Sequence, residues 1–320
     1  MRKRTLGKTG LSVSELGLGT WGLSGEGYGP VEQLDVERTV ERARAVDINF
    51  FDTSDLYGFR SDGSGERFEA CLGRLLAGDT EAIICTKGGN DVDGTPPRKR
   101  FDRAFLEASA EKSAERLKRK PDLYLLHNPS ERVLREGEAI ETLKDLAKKQ
   151  VIGEWGVSVG DGKTAIVAID KGAPVIEIAY NVLSSSDLHW CAGELLEARC
   201  GVIARSPLAY GLLCGLWAPG KTFVEGDHRR DRWSPEVLTA RLAHVAALRP
   251  LVRGEVHTLR SAALRYVLAN LLVGTCVVGV RNAAQLEGDV RAIGNGPPYL
   301  DDADLARIPK LLTDAGATEG

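Results

Sequence analysis

The chain has no cysteine pattern on which to build a disulfide framework. Its six cysteines (71, 85, 191, 200, 214 and 276) are scattered, with no CxxC pair. Most lie in apolar stretches, so they read as reduced, packed thiols of a cytoplasmic protein. The five histidines show no HExxH or similar spacing, and no metal site is expected. No apolar run approaches the length of a membrane span. The basic start, residues 1–10, is not followed by the apolar core of a signal peptide. A net charge of -3 and a pI near 6.0 give no electrostatic footprint for nucleic acid. Basic residues do gather at Arg98–Arg103 and Arg116–Lys120, but interleaved acids and helix-like context make these solvated faces. Internal repeats and low-complexity linkers are also missing, so a single domain over residues 1–320 is expected.

What the chain does have is alternation. After a hairpin-like opening (Arg4–Val13, turning at Gly7–Gly10), strand-like runs alternate with amphipathic helical segments almost to the end. Strands are expected at 15–19, 48–52, 82–87, 123–127, 152–159, 175–180, 201–206 and 275–280. Helices are expected at about 31–46, 65–77, 101–118, 137–149, 162–171, 188–198, 236–248, 257–269, 283–292 and 302–314. The helix at 31–46 would be entered through Pro30. The helix at 101–118 would present Phe101, Phe105 and Ala108 on one face, and that at 137–149 a stripe of Ile140, Leu143 and Ala147. Eight strands rich in β-branched residues, with helices between them, predict an α/β fold closed as a (β/α)8 barrel. The opening hairpin would cap its amino-terminal mouth. Two long loops, 86–100 and 208–233, would lie on the opposite, catalytic face.

Three of the apolar runs end in a group able to exchange or hold a proton. Ile48–Phe51 leads into Asp52, with Tyr57 in the following loop; Ala82–Cys85 leads into Lys87; Leu123–Leu126 leads into His127. Singly, Asp52 could cap a turn, Tyr57 could be a core aromatic and His127 a buried ring bonded to backbone. Together they occupy the strand ends where a parallel barrel collects its chemistry. A tyrosine beside an ammonium has its phenolate stabilised, which would make it an acid near neutral pH and a proton donor to a carbonyl oxygen. Gly17–Gly22 (GLGTWG) matches GxGxxG, but no helix opens from those glycines, which excludes a dinucleotide-binding Rossmann turn. It reads instead as the end of the first barrel strand, with Thr20 and Trp21 facing the active site.

These segments carry a family resemblance. LGLGTWG, NFFDTSDLYG, ICTKGG, LYLLHNP, WGVSV, RSPLAYGLLCG and VVGVRNAAQLE, in that order, resemble the aldo-keto reductase superfamily. The resemblance implies a catalytic tetrad of Asp52, Tyr57, Lys87 and His127. It also implies NADPH bound extended over the same mouth, and a small carbonyl or alcohol as substrate. Implied cofactor contacts near the reacting ring are Gly19, Thr20, Trp21, Ser158, Glu177 and Arg205. Ser206, Leu208 and Gly211 would hold the pyrophosphate, and Gly279, Arg281, Gln285 and Asp289 the adenosine end. Several of these depart from the family pattern. Val159 follows Ser158 where asparagine is usual, Glu177 replaces a glutamine and Arg205 an aromatic, Leu216 replaces a lysine, and Asp289 an asparagine. Arg281 is then the one clear cation for a 2′-phosphate, and NADH stands as an alternative cofactor. Trp21, Phe59, Trp217 and Trp233 are candidates for an aromatic wall, while Arg98, Arg100 and Arg229–Arg230 could meet an acidic or phosphorylated substrate but read more readily as solvated loop charges. Two other classes fit less of the chain. A nicotinamide-binding regulatory subunit, similar to potassium channel beta subunits, would show little turnover. A Schiff-base enzyme using Lys87 would leave Ser206, Arg281 and Gln285 unexplained. The sequence carries no signature of oligomeric state.

Overall fold

A computed structural model describes residues 1–58, 66–94 and 96–317. Eight strands close into a barrel: Leu16–Gly19, Phe50–Asp52, Ile83–Gly88, Leu123–His127, Glu154–Ser158, Val175–Ala179, Gly201–Arg205 and Val273–Gly279. Each is parallel to its neighbours, and the last pairs with the first through Cys276 opposite Leu16 and Gly279 opposite Gly19. Adjacent strands are joined through helices, so both faces of the sheet are covered. Residues alternate between the two faces along each strand. The outward set (Leu18, Phe51, Ile84, Tyr124, Leu126, Val157, Ile176, Ile178, Val202, Ala204) packs against the helical shell. The inward set (Phe50, Cys85, Leu123, Leu125, Val175, Ile203, Val277) fills the barrel.

The opening hairpin pairs Lys3–Thr5 with Ser12–Ser14 and turns through Gly7 (φ +55°) and Gly10 (φ +77°). Its tip drives Leu6, fully buried, into the lower barrel interior. Glycine is required where that tip meets the strands. A Cβ at Gly7 would collide with the Gly201 backbone, and one at Gly201 would lie 2.8 Å from Leu6 Cγ. The expected amino-terminal cap is therefore present, and it works as a plug.

Some helices differ from expectation. The first runs Gln33–Ala45 with Glu32 as its cap, so Pro30 precedes it rather than opening it. The helix after the third barrel strand begins at Arg103, fixed by Asp102 accepting from the Phe105 amide. Its buried face is Leu106, Ala110, Ser113 and Leu117, whereas Ala108 is exposed and Phe101 lies before the helix. Small serines, not phenylalanines, make that seam. Segment 188–198 divides at Cys191 into Ser186–Trp190 and Ala192–Glu197. A short helix, Glu131–Glu136, is added before Glu138–Lys148, with Gly137 left-handed between them. Loop 86–100 carries a two-stranded ribbon, Asn90–Asp91 with Arg98–Lys99, and 208–233 contains two short 3-10 turns. No helix among the described residues is long and apolar enough to cross a membrane.

Candidate active site

At the carboxyl ends of the strands the inward positions change character. One inward step beyond Phe50, Cys85, Leu125, Val175 and Ile203 come Asp52, Lys87, His127, Glu177 and Arg205. Lys87, almost fully buried, places Nζ 2.5 Å from Asp52 Oδ1, 3.0 Å from the Thr53 carbonyl and 3.2 Å from Glu177 Oε2. Burial alone would discharge this amine, but Asp52 and Glu177 outweigh it and hold the ammonium well above the usual lysine range. Burial and then Glu177 push the Asp52 carboxyl up, with Lys87 opposing. The Glu177 carboxylate accepts from Ser158 Oγ at 3.1 Å through Oε1. Its Oε2 forms the ion pair to Lys87 but receives no directed hydrogen bond.

Tyr57 lies above this pair, with its ring centroid 5.8 Å from Lys87 Nζ and 6.4 Å, edge to face, from the His127 ring. Burial pushes its phenol above the ordinary tyrosine range, and Lys87 is the largest counterweight. In the protein alone the phenol is thus not the near-neutral acid expected. It carries its proton throughout the neutral range.

His127 is held by partners the sequence did not flag. Its Nδ1 lies 3.1 Å from both Ser54 Oγ and Asn90 Nδ2. The Asn90 amide donates to Asp55 Oδ1 at 2.7 Å, and its oxygen accepts from Lys99 Nζ at 2.6 Å. A carboxylate on one side and an ammonium on the other fix which end of the amide is nitrogen. Nδ1 therefore accepts, and the ring proton sits on Nε2. Burial, followed by Lys87, keeps His127 neutral by moving its pKa well below the usual value.

A cleft of about 500 Å³ opens over this cluster, within the size range of small-molecule sites. Tyr57 and His127 line one end, together with Gly19, Trp21, Ser158, Glu177 and Arg205. Lys87 sits beneath the floor. Thr20 is turned away: it is fully buried, and its hydroxyl is bonded to the Asp52 carbonyl at 2.9 Å. Ser206, Leu208 and Gly211 line the middle of the cleft. Here Ser206 (φ +57°), Ala209 (φ +45°), Tyr210 (φ +62°) and Gly211 (φ +92°) are left-handed, a tight bend closed by the Ala209 amide donating to the Ser206 carbonyl at 3.0 Å and the Gly211 amide to the Leu208 carbonyl at 2.9 Å. Asn181, another residue not anticipated, ties this loop down by donating to the Ser206 carbonyl at 3.1 Å.

Arg281, Gln285 and Asp289 line the far end of the cleft, beyond Gly279, which pairs with Gly19 at the reacting end. Arg281 donates to the Pro30 carbonyl at 2.8 Å, and its amide donates to Gln285 Oε1 at 3.0 Å. A second arginine, Arg260, lines the same end, with Nε 3.5 Å from Asp289. Arg281 is thus not the one cation there. Burial raises the Asp289 carboxyl to about 7, against the pull of Arg260.

The wall of the cleft also corrects expectation. Arg229 is not a solvated charge. It chelates Asp227 at 2.5–3.1 Å, packs over the rings of Tyr28, Trp217 and Phe223, and lines the cleft. Arg98 is exposed and paired with Asp91, as expected of a loop charge, whereas Arg100 is partly buried, donates twice to Asp102 and packs over the Phe105 ring. Trp21 and Trp217 face the cleft, whereas Trp233 packs behind, 6.0 Å from Trp217. Phe59 lies outside the described residues.

A parallel eight-stranded barrel with a Tyr–Lys–His–Asp cluster at its carboxyl mouth and an extended cleft beside it defines a barrel oxidoreductase. Residues 15–312 match the profile of the Aldo/keto reductase family, and the chain belongs to that family. Its members are oxidoreductases and generally use NAD(P)H. The chain is 30% identical to an L-galactose dehydrogenase of Arabidopsis thaliana, over 97% of this chain and 93% of the relative. It is 28% identical to an L-glyceraldehyde 3-phosphate reductase of Escherichia coli K12, over 98% and 93%. Among solved structures, the holo form of an aldo-keto reductase from Bacillus halodurans superposes with a TM-score of 0.78, at 25% identity over 97% and 96% of the two chains. A glycerol dehydrogenase from Gluconobacter oxydans shares the fold, with a TM-score of 0.82 at 22% identity over 99% and 97%.

Proposed function

We propose that the protein reduces an aldehyde or ketone with NADPH, or oxidises the corresponding alcohol or sugar in reverse. The observation that carries this is the convergence of the buried Lys87 ammonium, the protonated Tyr57 hydroxyl and the His127 Nε2–H on one end of a cleft. The rest of the cleft fits a nicotinamide dinucleotide. Glu177 Oε2 is a buried acceptor with no hydrogen bond directed to it, the Ser206–Gly211 bend lines the cleft where a pyrophosphate would lie, and Arg260 and Arg281 supply positive charge. Two arginines favour a 2′-phosphate and hence NADPH over NADH.

When bound, the nicotinamide supplies the hydride that adds to the carbonyl carbon. His127 donates from Nε2 to the carbonyl oxygen and orients it. Tyr57 delivers its proton to the same oxygen, completing the alcohol. Lys87 stabilises the tyrosinate left behind, and Asp52 with the Thr53 carbonyl keeps the ammonium in place. In the reverse direction Tyr57 takes the hydroxyl proton. The named relatives act on sugars and on a triose phosphate, which supports a polyhydroxylated substrate.

The test is Tyr57→Phe, assayed for carbonyl reduction and titrated with NADPH and NADH by tryptophan fluorescence. Turnover should fall by about 10²–10⁴-fold, the usual worth of a positioned general acid. NADPH affinity should be retained and should exceed that for NADH. Full activity in the variant would remove Tyr57 from its role.

A further inference from the structure

Besides Tyr57 and His127, four ionisable side chains meet at the reacting end of the cleft: Asp52, Lys87, Glu177 and Arg205. Lys87 Nζ lies 2.5 Å from Asp52 and 3.2 Å from Glu177 Oε2, whereas Arg205 has no ion-pair partner among the described residues. Glu177 and Arg205 sit on adjacent strands. Glu177 is opposite Ile203 and Ala179 is opposite Arg205, so the two charged residues are diagonal neighbours. Both face inward, because Arg205 lies two positions beyond the interior Ile203 and Glu177 two beyond Val175. Arg205 donates to the Val159 carbonyl at 2.9 Å, and Glu177 Oε2 receives no hydrogen bond of its own. Tyr57 and His127, which face the same space, are neutral. The two cations are therefore balanced by two carboxylates. Without Glu177 the floor of the cleft would carry a surplus positive charge.

We propose that Glu177, as the second carboxylate beside the Lys87 and Arg205 cations, sets which oxidation state of the nicotinamide cofactor the protein binds more tightly. This rests on the function proposed above. Ser158, Glu177 and Arg205 line the same cleft as Tyr57 and His127, so a ring delivering hydride to a carbonyl held there would sit within their field. That ring is neutral when reduced and cationic when oxidised. A floor with a net positive charge would repel only the oxidised form, whereas a balanced floor accepts both. Glu177 thus keeps the alcohol-oxidising direction open in a site that Arg205 would otherwise bias towards reduction.

The experiment measures Kd for NADP⁺ and for NADPH in the wild type and in Glu177→Gln, Glu177→Asp and Arg205→Leu. All titrations are done at one ionic strength by fluorescence quenching. Glu177→Gln should raise the ratio Kd(NADP⁺)/Kd(NADPH) by about tenfold, equivalent to about 1.4 kcal/mol. Glu177→Asp, which keeps the charge, should stay near the wild-type ratio, and Arg205→Leu should lower it. The Arg205 variant leaves the Lys87 ion pairs intact, so it reads the balance even if the glutamine variant does not fold. Unchanged ratios with both forms still binding would overturn this inference and leave the proposed reaction standing. Failure of the wild type to bind either form would overturn both.

Discussion

The two mouths of the barrel are built from the same strands and share almost no chemistry. At the amino-terminal mouth the inward residues are Leu123, Leu125, Phe50, Cys85, Val175 and Ile203, closed over by Leu6. At the other mouth, one inward step later, they are His127, Asp52, Lys87, Glu177 and Arg205. A step of two residues, about 7 Å of strand, separates an apolar plug from a cluster of ionisable side chains. The lesson concerns cost. Isolated buried charges are expensive, and the two carboxylates are tolerated here because both lie against the Lys87 ammonium, above the apolar layer.

The sharpest way to break this contrast is to make the charged mouth apolar. Lys87→Met leaves Asp52 and Glu177 facing each other in the interior. It should lower stability by about 3–5 kcal/mol in urea denaturation, besides removing turnover. Glu177→Gln added to it should recover part of that loss. At the closed mouth, Leu6→Ala should destabilise by about 2–5 kcal/mol, as for other fully buried leucines. Because it touches only the plug, kcat/KM of the folded variant should match the wild type; a large fall would mean that the two mouths are coupled.

Smaller effects separate the supports of the charged mouth. Asn90→Leu removes the amide that fixes the His127 tautomer. It should reduce kcat/KM by roughly tenfold and change the ¹⁵N shifts of the ring, while leaving NADPH binding near the wild-type value. At the far end of the cleft, Asp289 has a folded-state pKa raised by burial to about 7, so it is neutral below that pH and anionic above. An anion there opposes a 2′-phosphate. NADPH affinity should therefore weaken several-fold as pH rises from 6 to 8, NADH affinity should not, and Asp289→Asn should abolish the difference.

Much of the contrast between the mouths is written locally in the sequence. An apolar run followed at once by Asp, Lys or His reads as a strand end, and the order of such ends gives the barrel and its tetrad. What the sequence does not display depends on which elements pack side by side. Arg260 reaches Asp289 only because the helix Leu259–Ala269 packs against Ala283–Ile293. Asn90 reaches His127 because loop 86–100 folds back as a ribbon. Asn181 holds the Ser206 bend from the neighbouring strand's loop. Thr20 misled because a hydroxyl at a strand end can as easily bond the next strand's backbone as face a cleft.

The pairing of Leu16–Gly19 with Val273–Gly279 has a consequence for synthesis. Asp52, Tyr57, Lys87 and His127 leave the ribosome early, but the sheet that aligns them has two open edges until residue 279 has emerged. Arg4 reinforces the dependence, since it donates to the carbonyls of Leu268 and Val273 at 2.8 Å each, across more than two hundred and sixty residues. Closure joins segments this distant in the chain only after most of it exists, and open sheet edges invite pairing with other chains in the meantime. Throughout translation the nascent protein therefore carries its reactive residues without a working site, and its last strand both assembles the enzyme and removes the surface on which it would aggregate.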